Sequence, residues 1–190
     1  MSLRSTRFLP LALICAALAA RADEARPVLL ALKQGTLTYT VVHKLHEVKG
    51  TSHEMEGLAK VQPGAPTLVQ VRARVATFDS GNSNRDAHMR ESTREPVHPT
   101  VEVKGTLPPF AWPLSAPQDL TMDARVEMNG IQQKVAVPVH LAPEGPRGVR
   151  GKFSFPISLD AFHIERPELL LMKVEDKATV DGDLLFEVKE

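Results

Sequence analysis

One cysteine, one tryptophan and one tyrosine are the full complement of those residues in 190 positions. A lone cysteine, Cys15, excludes an intrachain disulfide framework and a thiolate zinc site. Aromatic residues make up only 5% of the chain, and the inward-facing residues are expected to be mostly Val, Ala and Leu. Charge of one sign is missing as well. Lys+Arg 23 balances Asp+Glu 23, which gives no footprint for a nucleic-acid partner and no charged tail. No G-x-S-x-G elbow and no phosphate-cradling glycine loop is present, so nucleophilic catalysis and nucleotide chemistry have no candidate and no cofactor is expected.

The length suits one domain of ordinary size. Hydrophobic residues at 43% and charged residues at 24% indicate a globular chain. Pro 15 and Gly 11 favour many short elements over a few long helices. Arg4 and Arg7 precede an apolar run from Phe8 to Ala20, and Ala20-Arg21-Ala22 has the small-x-small pattern of a signal peptidase site. The run is short of the roughly 20 apolar residues a membrane helix needs. Residues 1–22 therefore read as a signal peptide and 23–190 as the mature domain, periplasmic or secreted, without stable membrane insertion. Cys15 leaves with the signal. The mature chain is then cysteine-free, and its fold stands on its core alone.

Period-two alternation fills that domain. Leu37, Tyr39, Val41, His43 and Leu45 alternate with threonines, Val42 and Lys44. Val69, Val71, Ala73 and Val75 form a second set, and Leu120 to Met128 a third. Ile131 to Leu141, Val149 to Leu159 and Val174 to Val188 continue the scheme. Alternation at period two means strands with one apolar and one polar face. Long antiparallel strands of this kind, joined in sequence, predict an all-β closed barrel, because closure removes the edges.

Asn129-Gly130 between two alternating runs predicts a two-residue hairpin with φ > 0 at both positions. Pro63-Gly64-Ala65-Pro66 and Pro143 to Gly148 read as looser hairpins, and Leu107 to Pro113 as a proline-rich connection. Ser80 to Ser92 breaks the alternation. Ser83 with Asp86 resembles a capping box, Asp86 and Arg90 are spaced to pair, and the segment predicts a short helix from about Asn84 to Thr93. His43 and His46, three apart on one strand, would face opposite ways, so no metal site is expected. Met55, Met89, Met122, Met128 and Met172 read as gap-filling residues.

The run Phe78-Asp79-Ser80-Gly81-Asn82-Ser83-Asn84-Arg85-Asp86-Ala87-His88-Met89-Arg90 resembles the characteristic stretch of the YceI-like family. Pro99-Thr100-Val101-Glu102-Val103 and Asn129 to Val135 are similar to two further segments of that family. Ser92 to His98 departs from it by lacking aromatic residues, and Val103 stands where phenylalanine is common. The resemblance implies a lipocalin-like barrel of about eight strands with one short helix. It also implies periplasmic export and an interior that takes a polyisoprenoid or similar long-chain lipid.

On that basis the interior faces carrying Tyr39, Val41, His43, Val71, Ala73, Val126, Val137, Phe153 and Phe155 are expected to line a ligand tunnel. Asn82, Arg85, Asp86 and His88 are expected either to meet a polar head group at the helix N-terminus or to anchor the helix. Each five-carbon isoprene unit, at ~0.8 kcal/mol per buried CH₂, would contribute roughly 4 kcal/mol before ordering costs. Composition alone favours a packed core with no cavity, which makes the second reading a packed barrel that works through its surface, with an exposed apolar patch around Phe110 and Trp112. A third reading is a lipocalin-like enzyme acting on such a lipid, with Arg85 and His88 as the visible acid–base pair. The sequence leaves monomer and homodimer both open.

Overall fold

A computed structural model describes residues 26–43, 46–166, 168–169 and 172–190. The signal segment and Leu45 lie outside the described residues. Eleven strands and one α-helix follow in chain order: β1 Val28–His43, β2 His46–Ser52, β3 Met55–Val61, β4 Thr67–Arg74, α1 Ser83–Ser92, β5 Thr100–Leu107, β6 Gln118–Met128, β7 Ile131–Glu144, β8 Gly148–Ser158, β9 Glu168–Leu169, β10 Met172–Lys173 and β11 Lys177–Val188. β9 and β10 form a small separate hairpin.

The large sheet runs β11-β8-β7-β6-β5-β4-β3-β1, and β11 pairs back onto β1, closing an antiparallel eight-strand barrel to which β2 is added. β2 and β3 lie on β1 in one register, with Leu37 opposite Ser52 and Leu30 opposite Ala59. They are two parts of one wall, broken at His53-Glu54. Ser52 makes the break: its Oγ accepts from Glu54 N at 3.1 Å and bonds Thr77 Oγ1 at 2.7 Å. The predicted alternation is realised as inside and outside. On β6, Met122, Ala124 and Val126 are buried while Thr121, Asp123 and Arg125 are exposed. Asn129 and Gly130 turn at φ 53° and 73°, as the hairpin requires.

One reading of β1 needs correction. The alternation through Leu45 suggested a single strand carrying both His43 and His46. β1 instead ends at His43, and His43 pairs in register with His46, the first residue of antiparallel β2. No glycine or proline marks the change of strand, so the pattern ran through it.

The helix also differs from expectation in its details. Its N-cap is Asn82, not Ser83: Asn82 Oδ1 accepts from Asn84 N and Arg85 N, both at 3.1 Å. Asp86 is turned inward, where its Oδ1 accepts from Ser80 N at 3.0 Å. At the other end Arg94 N bonds Glu91 O and Glu95 N bonds Arg90 O, a Schellman ending with Arg94 left-handed at φ 50°. Only Ala87 and Met89 are apolar in α1, so it has no hydrophobic stripe to seat it. Polar contacts seat it across one end of the barrel. That end collects the close of β4, the β6–β7 turn and the close of β8.

Candidate functional site

An interior cavity of about 120 Å³ runs along the barrel. Its wall at the far end from α1 includes Leu30, Val61, Thr67, Leu107 and Phe110, and towards α1 it includes Ala73, Val101, Met128 and Ile157. All of these but Thr67 are apolar. The one charged residue on its border, Arg72, turns its guanidinium out to Glu56, at 2.6 and 3.0 Å. A wider concavity of about 930 Å³ lies on the outer wall of β3 to β7, but Lys60, Glu102, Lys104, Arg125 and Lys134 line it and it is open to solvent. That outer concavity also carries the exposed Leu29, Leu58 and Leu68 among its charges, whereas the enclosed interior cavity is apolar apart from Thr67 and the outward-turned Arg72.

Of the residues expected to line a tunnel, Val71, Ala73, Val126, Val137, Phe153 and Phe155 stand on the cavity wall. Phe153 and Phe155 are tilted against each other at 6.0 Å. Phe153 also covers Gly182, its partner on β11, where a side chain would collide with the ring. These two rings narrow the bore. Tyr39, Val41 and His43 lie beyond the cavity, near the α1 end. Tyr39 packs on Phe78 at 5.7 Å and over Gly50, which leaves room for the ring only because it has no side chain. Burial, and then the charge of Asp86, push the Tyr39 phenol up to about 12. Val41 packs against the core, and His43 is buried.

The helix residues divide by role. Asn82 and Asp86 fix the helix start, as described. Arg85 donates through Nη2 to Ser80 O at 2.8 Å and is exposed, as is His88. None of these four stands on the cavity wall. α1 therefore sits outside the bore, and its N-terminus does not open into it.

Three interior residues escaped sequence reasoning. Leu30 is 1% exposed at the start of β1, ahead of the alternation that was legible. Phe110, expected on an exposed patch, is buried and closes the cavity opposite α1. The prolines around it gave the signal of a surface connection, whereas they turn the chain back across the barrel mouth. Thr67 follows Pro66 and reads as part of the turn, yet it is the first inward residue of β4. It is 1% exposed. Its hydroxyl is the one buried side-chain polar atom without a hydrogen-bond partner among the described residues.

No helix among the described residues is long and apolar enough to cross a membrane. No curated protein sequence matches the chain. Among solved structures, a polyisoprenoid-binding domain from Saccharophagus degradans, implicated in plant cell wall breakdown, superposes with a TM-score of 0.71 at 12% identity, covering 85% of this chain and 99% of that one. BcnA of Burkholderia cenocepacia gives 0.66 at 18% identity, over 80% and 95% of the two chains. The YCEI protein of Campylobacter jejuni gives 0.60 at 12%, over 78% and 90%. At these identities the likeness is one of fold. The YceI-like domain model, however, matches residues 30–186, from the first interior leucine of β1 to the last interior phenylalanine of β11. With the barrel, the short helix and the apolar bore all inside that span, the chain belongs to the YceI-like family.

Proposed function

We propose that this chain is an exported, non-enzymatic binding protein that holds the apolar tail of an isoprenoid or similar long-chain lipid inside its barrel, for carriage, storage or sequestration. The observation that carries this reading is the apolar bore. It extends along the strands, excludes charged groups, and has no role in placing surface residues. The family's fold, and a relative named for polyisoprenoid binding, support lipid as the class of ligand. Periplasmic or secreted localisation rests on the signal-like start of the sequence.

Size sets the terms. At roughly 30 Å³ per water-sized group, a cavity of about 120 Å³ takes about one isoprene unit. A longer chain needs the flexible Met122 and Met128 and the Phe153–Phe155 pair to give way. The same volume is the observation that favours a second reading, a packed barrel acting through its surface.

Gly151 separates the two. It borders the cavity, and a Cβ there would sit at ordinary contact distance, 3.5 Å from Leu141 and 3.7 Å from Val139. Gly151→Leu should fill the bore and still fold. A lipid-binding barrel binds a prenyl alcohol saturably, one per chain, and loses at least tenfold in affinity in this variant. Equal behaviour of wild type and variant would favour the packed barrel.

A further inference from the structure

Thr67 breaks the chemistry of the cavity wall. A buried hydroxyl left without a partner is destabilising, and native interiors seldom retain one without a reason. A valine of the same shape would seat equally well at the start of β4 and would cost nothing. Instead the one inward hydroxyl on the wall of the bore stands beside Leu107, its cross-strand partner, and next in register to Val61. With Phe110, these residues bound the end of the cavity away from α1.

Resting on the lipid-binding reading, we propose that the Thr67 hydroxyl receives the polar terminus of the bound molecule, so that the ligand is an apolar chain ending in an uncharged oxygen, an alcohol or a carbonyl. Two features select this class. A threonine hydroxyl both donates and accepts, so it can serve either an alcohol or a ketone-like oxygen. Among the described residues no cation faces the bore, because Arg72 is turned out to Glu56. A phosphate or carboxylate terminus would be buried there without a counter-charge, at a cost an uncharged oxygen avoids. The polar end of the ligand then lies by Thr67 and Phe110. β4 has eight residues, at ~3.3 Å each, so this is roughly 25 Å from the helix end where Arg85 and His88 lie.

The test compares phytanol with phytane, which share a branched skeleton and differ by one hydroxyl. Their affinities are measured for the wild-type protein, Thr67→Val and Thr67→Ser. Comparing the ratio of the two affinities between proteins cancels the difference in their hydration. The wild type and Thr67→Ser should prefer phytanol by the same factor. Thr67→Val should lower that preference about fivefold to tenfold, keep its affinity for phytane, and melt no lower than wild type. An unchanged preference in Thr67→Val, or a lower melting temperature of the protein alone, overturns the role of Thr67. Failure of the wild type to bind phytane at all overturns the lipid-binding reading itself, which is a different result.

Discussion

Arg94 clasps Asn129. Its Nε donates to Asn129 Oδ1 at 2.7 Å and its Nη2 to the Asn129 carbonyl at 3.0 Å. The Asn129 amide in turn donates to the carbonyls of Phe162 and His163 at 2.9 and 3.0 Å. The three non-glycine residues with positive φ among the described residues are Arg94, Asn129 and His163. All three meet in this node, which ties the end of α1, the β6–β7 hairpin and the turn after β8 together. Left-handed backbone is uncommon outside glycine, and here the surrounding hydrogen bonds hold it.

Asn129→Ala should therefore be severe. It strands the buried carbonyl of Phe162 and the part-buried carbonyl of His163, and puts a Cβ-only residue at φ 53°. We expect a loss of about 2–4 kcal/mol in urea unfolding. Asn129→Gly relieves the backbone and keeps only the hydrogen-bond loss, so it should be the milder variant. Equal stability of Asn129→Ala and wild type would show that the node does not hold the helix.

Around α1 the expected effects are graded by contact. Asp86→Ala removes a buried carboxylate bonded to Ser80 N and should cost about 1–3 kcal/mol. His88→Ala touches an exposed residue and should stay within about 0.5 kcal/mol. Neither His88→Ala nor Arg85→Ala should change the affinity for a prenyl alcohol, because neither residue stands on the cavity wall. A loss of binding in either, with stability intact, would return the polar end of the ligand to the helix.

Tyr39 is the only tyrosine, so phenolate absorbance follows one site. Its titration should centre at about 12 in the folded protein and at about 10 in denaturant. The fold favours the neutral phenol. The stability it contributes is fully present below the unfolded value and is lost as pH rises through the folded one. A folded-state midpoint near 10 would place Tyr39 in water instead of against Phe78.

Asp176 works at the opposite end of the pH scale. Its Oδ1 accepts from Asp160 N at 2.8 Å and from Ser158 Oγ at 3.1 Å, and these bonds hold its carboxyl below the ordinary value. The stability it contributes is present above the ordinary aspartate range and is lost as pH falls through the lowered one. The stability difference between wild type and Asp176→Asn should be constant above about pH 5 and shrink below about pH 4. A difference that does not change across that window would show that the carboxylate charge is not what fastens the turn.

The barrel was readable from residues because inside and outside alternate strictly along β4, β6, β7 and β8, and because Asn129-Gly130 announces its turn. The change from β1 to β2 was not readable, since apolar alternation continues through it without a breaker. The helix could be placed but not oriented: with only Ala87 and Met89 apolar, its seat is decided by the Arg94–Asn129 pair, thirty-five positions apart in sequence. Six wall residues of the bore followed from periodicity. Phe110 and Thr67 did not, because prolines beside them read as surface, and because the absence of a hydrogen-bond partner appears only once the strands have closed.

Lipid in the bore can be weighed by mass spectrometry of the protein under native conditions, after equilibration with a prenyl alcohol and again after organic extraction. We expect one bound chain per folded protein before extraction, none after, and a sharply reduced bound fraction in Gly151→Leu. Protein that stays at its bare mass at every concentration of the alcohol, in wild type and variant alike, would contradict the lipid-binding reading.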